Sequence, residues 1–271
     1  MQMITSLKND RVRLVRALQK RRRVRQRERR FVIEGGHLCE EAVRAGVLPH
    51  FVFYTAEAQG STQVGSLLGA WKKMGVPCQE VSQAVMKACS DTEVPQGLLA
   101  VVPIPDLSRL EQPALTLIPD RLRDPGNLGT ILRTALAAGV DQVLLPPGTV
   151  DATNPKVVRA GVGAHFRLPL AAMDWDRISQ AVAGCRVYLA AARGTTLYTE
   201  VDWTEPVALI VGGEAAGAGG QARALAHTEV TIPLAGEVES LNAAVAAAVI
   251  LFEAVRQRRT GHQSVPPGSA T

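Results

Sequence analysis

Short apolar runs alternate with helix-like segments over the first hundred residues. Four runs with strand character are FVIEG (31–35), HFVFYT (50–55), VPCQEV (76–81) and GLLAVV (97–102). Between them lie three segments with helical character, at 37–46, 64–75 and 83–89. The first of these helices is expected to end at Gly46, because glycine favours helix termination. The alternation predicts a small α/β sandwich.

The second half of the chain continues the alternation. Strand-like runs occur at 115–118, 142–145, 186–191, 206–211 and 229–234, with helical runs between them. This rhythm predicts an α/β fold with a mostly parallel sheet and helices on its faces. A proline-rich stretch separates the halves. We therefore predict a first domain at 1–103, a linker at 104–112, a second domain at 113–260 and a disordered tail at 261–271.

The composition is that of a soluble globular protein. Of the 271 residues, 46% are hydrophobic and 20% are charged, and the longest uncharged run is too short to span a membrane. The four cysteines form no C-x-x-C pair, which argues against a disulfide framework or a zinc site and favours a reducing, cytoplasmic setting. The five histidines lack metal-ligand spacing, so no metal is predicted.

Positive charge is concentrated near the start of the chain. The net charge is +5, yet residues 8–30 contain twelve lysines or arginines against two acidic residues. Such a block is either a solvated helix face or arm, or a surface that binds nucleic-acid phosphates. On the second interpretation, the candidate RNA-binding residues are Arg21, Arg22, Arg23 and Arg25.

The first loop with candidate chemistry is RDPGNLGTILRTA (123–135), which follows a predicted strand. In open parallel sheets, ligands bind at the carboxyl ends of the strands. Asn127 is placed to cap the following helix, and Gly129 removes a side chain near its first turn. Helical periodicity directs Arg133 away from that cap. Arg133 taken alone also fits a solvated helix face.

The second loop is ALIVGGEAAGAGG (208–220), a strand that runs into a glycine-rich turn. Residues 217–222 match the dinucleotide-binding pattern G-x-G-x-x-G/A. That fingerprint needs its first glycine directly at the strand end, whereas Gly217 comes well after Val211, so we reject a nicotinamide-dependent oxidoreductase. Glu214 follows a buried strand, where a carboxylate either requires a donor or ligand, or interacts with a helix amino terminus.

The third loop is TIPLAGEVESLN (231–242), in which Ser240 and Asn242 precede a long run of alanine and valine. Helix capping explains polar residues at this place. Alternatively, the free backbone N–H groups of the helix start hold the acceptor atoms of a ligand. The following run is apolar on all sides, which predicts close burial against another backbone.

Together the three loops resemble the three motifs of the SpoU branch of the SPOUT RNA methyltransferases. The first motif, N-x-G-x-x-x-R, corresponds to Asn127, Gly129 and Arg133, and the second, G-x-E-x-x-G, to Gly212, Glu214 and Gly217. The third, I-P-x-x-G-x-V-x-S-L-N, runs from Ile232 to Asn242. The first half of the chain is similar to the family's small substrate-binding domain, which is L30e-like.

This resemblance implies S-adenosyl-L-methionine-dependent methylation of a ribose 2′-hydroxyl in RNA, with ribosomal RNA favoured over transfer RNA. It also implies that residues 113–260 form a trefoil-knotted methyltransferase domain and that residues 1–103 bind RNA. The resemblance further implies a homodimer that shares its active site across the interface. A non-catalytic RNA-binding protein on the same fold is the alternative.

The resemblance also assigns roles to individual residues. The expected catalytic residues are Arg133, Asn127, Glu214, Ser240 and Asn242. The expected cofactor-binding residues are Gly212, Gly213, Ile232, Leu234 and Leu241. The family gives Arg133 the activating role. Because an arginine is hard to deprotonate, we interpret Arg133 as an electrostatic stabiliser of the developing alkoxide.

Overall fold

The chain folds into two compact units. The computed structural model describes residues 3–213, 217–236 and 238–262, with the side chains of 261 and 262 excepted. The first unit contains the residues up to Asp106 together with Asp151–Arg167, and the second contains Leu107–Val150 and the residues from Leu168 onward. Residues 151–167, which the sequence division places in the second domain, therefore pack with the first unit. Of the predicted tail, residues 261 and 262 belong to a helix, and those beyond lie outside the described residues.

The first unit is built on a four-stranded sheet. Its strands are β1 (Arg30–Glu34), β2 (Phe51–Tyr54), β3 (Cys78–Glu80) and β4 (Leu98–Pro103). They lie in the order β1-β4-β2-β3, in which β4 is antiparallel to β1 and β2, and β3 is parallel to β2. The four strands predicted from the apolar runs are thereby confirmed.

Helices cover both faces of this sheet. They are α1 (Asp10–Lys20), α2 (Arg22–Glu28), α3 (Gly36–Arg44), α4 (Ala56–Gln59), α5 (Thr62–Lys73) and α6 (Gln83–Cys89). Because side chains alternate along a strand, Phe31 and Ile33 pack into one core with residues of α3 and α5, while Val32 packs into another with residues of α1 and α6. Residues 151–167 supply a helix at Pro155–Gly161 and a 3-10 turn at Ala164–Phe166, and Phe166 joins the first core.

The second unit contains a seven-stranded sheet. Its strands are β5 (Leu115–Asp120), β6 (Gln142–Leu145), β7 (Leu170–Ala172), β8 (Arg186–Ala190), β9 (Thr196–Leu197), β10 (Val207–Gly212) and β11 (Thr228–Thr231). The order is β7-β6-β5-β10-β8-β11-β9, and each of these pairings is parallel, as predicted. The last strand ends at Thr231 and not at residue 234. Pro233 has no N–H to give to a ladder, so the chain leaves the sheet there.

The helices of the second unit are α7 (Pro125–Ala137), α9 (Trp175–Ala181), α10 (Gly220–Leu225) and α11 (Ala243–His262). The label α8 belongs to the helix at Pro155–Gly161, which packs with the first unit. Ile118 and Ile210 of the sheet pack with α9 and α10, and α11 contacts α7 and β10. Only part of α11 is buried within the chain. Ala247 and Leu251 are fully buried, whereas Val245 and Phe252 are each 49% exposed, so the predicted all-round burial is not met in a single copy.

The described part of the chain contains neither a membrane-spanning helix nor a cluster of metal ligands. None of its helices combines the length and the apolarity that crossing a bilayer requires. No group of three or more His, Cys, Asp and Glu side chains converges there as a set of metal ligands.

Candidate active site

A cavity of about 480 Å³ opens at the carboxyl ends of β8, β10 and β11. This is where ligands bind in open parallel sheets. Its walls include all five residues predicted to bind the cofactor, Gly212, Gly213, Ile232, Leu234 and Leu241, together with Ser240. The loops that follow β10 and β11 are therefore brought together around one cavity.

Close backbone packing explains the glycines at the end of β10. A Cβ added to Gly212 would lie 2.7 Å from the carbonyl carbon of Gly217 and would press on the backbone nitrogen of Ala218. At Gly213 an added Cβ would press on the carbonyl oxygen of Arg121. The N–H of Gly217 donates to the Gly213 carbonyl at 3.0 Å, which holds these two glycines together beside the cavity.

Asp120 holds the chain at Gly219, just after this pair of glycines, and was not among the predicted site residues. It ends β5, is 1% exposed, and its Oδ2 accepts the N–H of Gly219 at 2.7 Å. Burial raises the pKa of this carboxyl, while the Gly219 N–H and the charge of Arg121 oppose the rise. An acidic residue at the carboxyl end of a buried parallel strand was the signal available in the sequence.

Asn242 caps α11, and Ser240 does not. The Oδ1 of Asn242 accepts the N–H groups of Ala244 at 2.8 Å and Val245 at 3.3 Å, which is the usual geometry of a helix N-cap. Ser240 instead lines the cavity. Of the two polar residues that open this helix, one therefore stabilises the helix end and the other faces the cavity.

Asn127 does not cap α7, which corrects the sequence prediction. The cap is Asp124, whose Oδ1 accepts the N–H of Asn127 at 2.8 Å, and Pro125 occupies the first helical position. Aspartate caps as well as asparagine does, and proline is preferred in the first turn, so the Asp-Pro pair starts the helix earlier. Asn127 is thereby placed to bind Asn242, whose Nδ2 donates to its Oδ1 at 3.0 Å.

The remaining predicted catalytic residues lie in different places. Arg133 is exposed on α7 and is not among the residues that line the cavity. Glu214 lies outside the described residues. The structure therefore joins the first and third loops through Asn127 and Asn242, places Ser240 at the cavity, and leaves Arg133 on the adjoining helix surface.

The end of β8 contributes cavity residues that the sequence analysis did not include. Arg193 lines the cavity with the preceding alanines, and so do Arg223 and Glu229, which form an ion pair at 2.6 Å. The strand at 186–191 was predicted, so extending the same strand-end rule to its loop would have found Arg193.

Two family models match this chain. The model of the SpoU rRNA Methylase family matches residues 114–252, about half of the sequence. The chain belongs to the SpoU rRNA methylase family. The model of the MRM3-like substrate binding domain matches residues 9–100.

Members of the SpoU family resemble the chain over nearly its whole length. The 23S rRNA (guanosine(2553)-2′-O)-methyltransferase RlmP of Bacillus subtilis is 36% identical over 93% of this chain and 98% of that protein. The mitochondrial rRNA methyltransferase 3 of Homo sapiens is 32% identical over 90% of this chain and 72% of that protein. The structure of the SpoU methyltransferase AviRb from Streptomyces viridochromogenes with AdoMet is 30% identical, with a TM-score of 0.82 over 93% of this chain and 99% of that one.

The basic segment of this SpoU protein divides into exposed and buried arginines. Arg21, Arg22 and Arg23 are exposed where α1 meets α2. Arg25 is only 4% exposed, and its guanidinium donates to the Leu18 carbonyl at 2.7 Å and forms an ion pair with Asp151. Because these partners already occupy its donors, Arg25 holds the first unit together, and its assignment as an RNA ligand is corrected.

Proposed function

We propose that this protein transfers a methyl group from S-adenosyl-L-methionine to a ribose 2′-hydroxyl of ribosomal RNA. The observation that carries the proposal is the cavity at the strand ends, because it gathers Ser240 and all five expected cofactor residues of a SpoU family chain. The proposed domain roles are RNA capture by residues 1–103 and methyl transfer by residues 113–260.

The residues of the cavity fit the cofactor. Its volume of about 480 Å³ lies in the range of small-molecule sites. Ile232, Leu234 and Leu241 supply apolar walls for a flat base, and Gly212 and Gly213 add wall without side chains. Arg193, Arg223 and Glu229 provide charged groups for the polar ends of an amino-acid-bearing nucleoside.

The chemistry required of the protein is orientation and charge stabilisation. The bound cofactor supplies a methyl group that is already activated by a positively charged sulfur. The side chain of Arg133 stabilises the negative charge that develops on the ribose 2′-oxygen as its proton leaves. The contact between Asn127 and Asn242 fixes the start of α7 against the start of α11. It is thereby proposed to keep Arg133 at a fixed position relative to Ser240. Glu214 is proposed to position the same loops.

Ribosomal RNA is the proposed substrate because relatives that match this chain over 90% or more of its length are named as rRNA methyltransferases. RlmP is named for guanosine 2553 of 23S rRNA, and a relative from Streptomyces viridochromogenes, 33% identical over 97% of this chain, is named for uridine 2479. Because the two names give different bases and positions, the methylated nucleotide differs between these relatives, and they do not fix it for this protein. Comparing 2′-O-methyl maps of total RNA from cells with and without this protein identifies the site. A methyl lost from transfer RNA alone would refute ribosomal RNA as the substrate.

Binding of S-adenosylhomocysteine separates the enzyme from a non-catalytic RNA-binding protein on the same fold. Calorimetry of the full chain is expected to show saturable binding that Leu241→Asp removes. RNA affinity without any cofactor binding would favour the non-catalytic alternative. Cytoplasmic location remains a prediction from the cysteine pattern.

Neutralising Arg21, Arg22 and Arg23 to alanine is expected to weaken RNA binding and to lower its salt dependence. Each phosphate contact contributes about 0.9 to the slope of log affinity against log salt on a duplex, so the slope is expected to fall by about 2 to 3. Titration of labelled ribosomal RNA at several salt concentrations measures this slope. The matched control is Lys72→Ala with Lys73→Ala, because α5 packs on the opposite sheet face from α1. Equal losses in both variants would contradict a localised RNA surface.

The proposed assembly is a homodimer of trefoil-knotted methyltransferase domains, with the active site shared between copies. The exposed side of α11 supports the dimer, because Val245 and Phe252 present apolar surface to water in a single copy. Val238, near the start of this helix, is 58% exposed. Val238, Val245 and Phe252 are proposed to form the apolar surface that meets the second copy.

Val245→Asp combined with Phe252→Asp is expected to produce a monomer with little methylation activity. Two carboxylates cannot be buried in an apolar interface without partners. Light scattering after gel filtration gives the mass in solution. Leu48→Asp is the control, because Leu48 is 51% exposed on the first unit. A double variant that keeps the wild-type mass would refute this interface.

A further inference from the structure

A second cleft, of about 370 Å³, lies in the second unit and reaches the start of β6. Gln142, the first residue of β6, lines it, whereas the cofactor cavity is lined by Gly212, the last residue of β10. Because the strands are parallel, these two ends lie on opposite edges. The cleft shares no lining residue with the cofactor cavity, so the proposed methyl transfer does not account for it.

Gln142 carries an unmatched polar atom at this cleft. The residue is 1% exposed, and its Nε2 donates to the Thr116 hydroxyl at 3.1 Å. Its Oε1 has no hydrogen-bond partner among the described residues. Exchanging the amide oxygen and nitrogen leaves one atom unmatched all the same, because a threonine hydroxyl both donates and accepts. A buried polar group without a partner costs stability, so its retention beside a cleft points to a ligand.

The mouth of the cleft is charged and its walls are apolar. Arg109 and Arg177 are exposed residues of its lining, as is one acidic residue, Glu111, so the arginines outnumber the carboxylate. Guanidinium groups have the geometry that binds phosphate. Met173 and Ala181 contribute apolar wall next to the Gln142 amide. Guanidinium groups, apolar wall and an amide together suit the parts of a nucleotide, which has a phosphate, a flat base and a base edge with both donors and acceptors.

We propose that this cleft binds one nucleotide, with its base edge on the Gln142 amide and its phosphate on Arg109 and Arg177. Two sources supply this chemistry, namely a free mononucleotide and a nucleotide of a bound RNA strand. The second source rests on the proposed function, and the first does not.

Calorimetry of the full chain with each of the four ribonucleoside 5′-monophosphates tests the first source. We expect saturable binding of at least one of them, weakened about tenfold or more by Arg109→Ala with Arg177→Ala. Arg186→Ala is the matched control, because Arg186 is exposed at the start of β8, another strand of the same sheet, and does not line the cleft. Affinity for S-adenosylhomocysteine is expected to stay unchanged in all variants, which separates this proposal from the proposed function.

Short single-stranded oligoadenylate and oligouridylate test the second source. The double arginine variant is expected to lower the salt slope of their binding by about 1 to 2, and Gln142→Met, which keeps the side-chain length, is expected to weaken binding without changing that slope. Ala181→Leu fills the cleft and is expected to act like Gln142→Met if that variant is unstable. Selective loss with either probe supports a nucleotide site. If neither the monophosphates nor the oligonucleotides distinguish the cleft variants from Arg186→Ala, the cleft holds only water and the proposal is overturned.

Discussion

Single-turnover methylation by Arg133→Ala is expected to fall by about 100-fold or more, while affinity for S-adenosylhomocysteine stays close to that of the wild type. Removing one preorganised donor to a developing oxyanion costs about 10²–10³ in rate in other enzymes. Arg133 is exposed on α7 and does not line the cofactor cavity, so its removal leaves the cavity walls intact. The measurement is the rate of tritiated methyl transfer to ribosomal RNA with enzyme in excess.

Three controls give this result a specific meaning. Thr130→Ala removes another exposed side chain from α7 and is expected to keep the wild-type rate. Arg133→Lys keeps the positive charge but loses the forked geometry, so partial activity is expected. RNA affinity must be measured in parallel. If Arg133→Ala raises the RNA concentration for half-maximal rate and leaves the maximal rate unchanged, Arg133 binds RNA and does not stabilise the transition state.

The elements of both units were predictable because each carries a local pattern. The buried strands of the parallel sheet read as continuous apolar runs, and those of the first unit did so as well. The packing of residues 151–167 onto the first unit was not predictable. Nothing in the local pattern of that segment shows that Phe166 stacks against Phe31, because such a contact depends on the folded path of the chain.

The site residues that belong to the family motifs were predictable, and those that lie between the motifs were not. The motif glycines and Leu241 meet at the cavity. The capping role predicted for Asn127 was wrong, because Asp124 caps the same helix, and at α11 Asn242 caps and Ser240 does not. Residues of similar capping strength stand close together in the sequence, and only the folded backbone decides between them. Arg25 shows a similar limit. Arg21, Arg22 and Arg23 are exposed, and only the helical geometry turns Arg25 inward towards Asp151.

Gly212→Ala is expected to reduce affinity for S-adenosylhomocysteine by about tenfold or more, which corresponds to about 1.4 kcal/mol of binding free energy. The added methyl group would collide with backbone atoms of Gly217 and Ala218, and backbone does not yield as the end of a flexible side chain does. The backbone at Gly217 and Ala218, which forms part of the cavity wall, must therefore shift. Calorimetry of the variant measures the loss directly.

The neighbouring Gly220 supplies the matched control. No atom lies within 4 Å of a Cβ built on Gly220, which begins α10 in the same loop, so Gly220→Ala is expected to bind S-adenosylhomocysteine as the wild type does. Both variants replace one glycine of this segment by alanine. A difference between them therefore reports the backbone collision at Gly212 and not the loss of a glycine. Wild-type affinity in Gly212→Ala would mean that the backbone at Gly217 and Ala218 moves aside with little loss of binding free energy. The close approach at Gly212 would then be a consequence of strand packing, and the cavity wall would not depend on it.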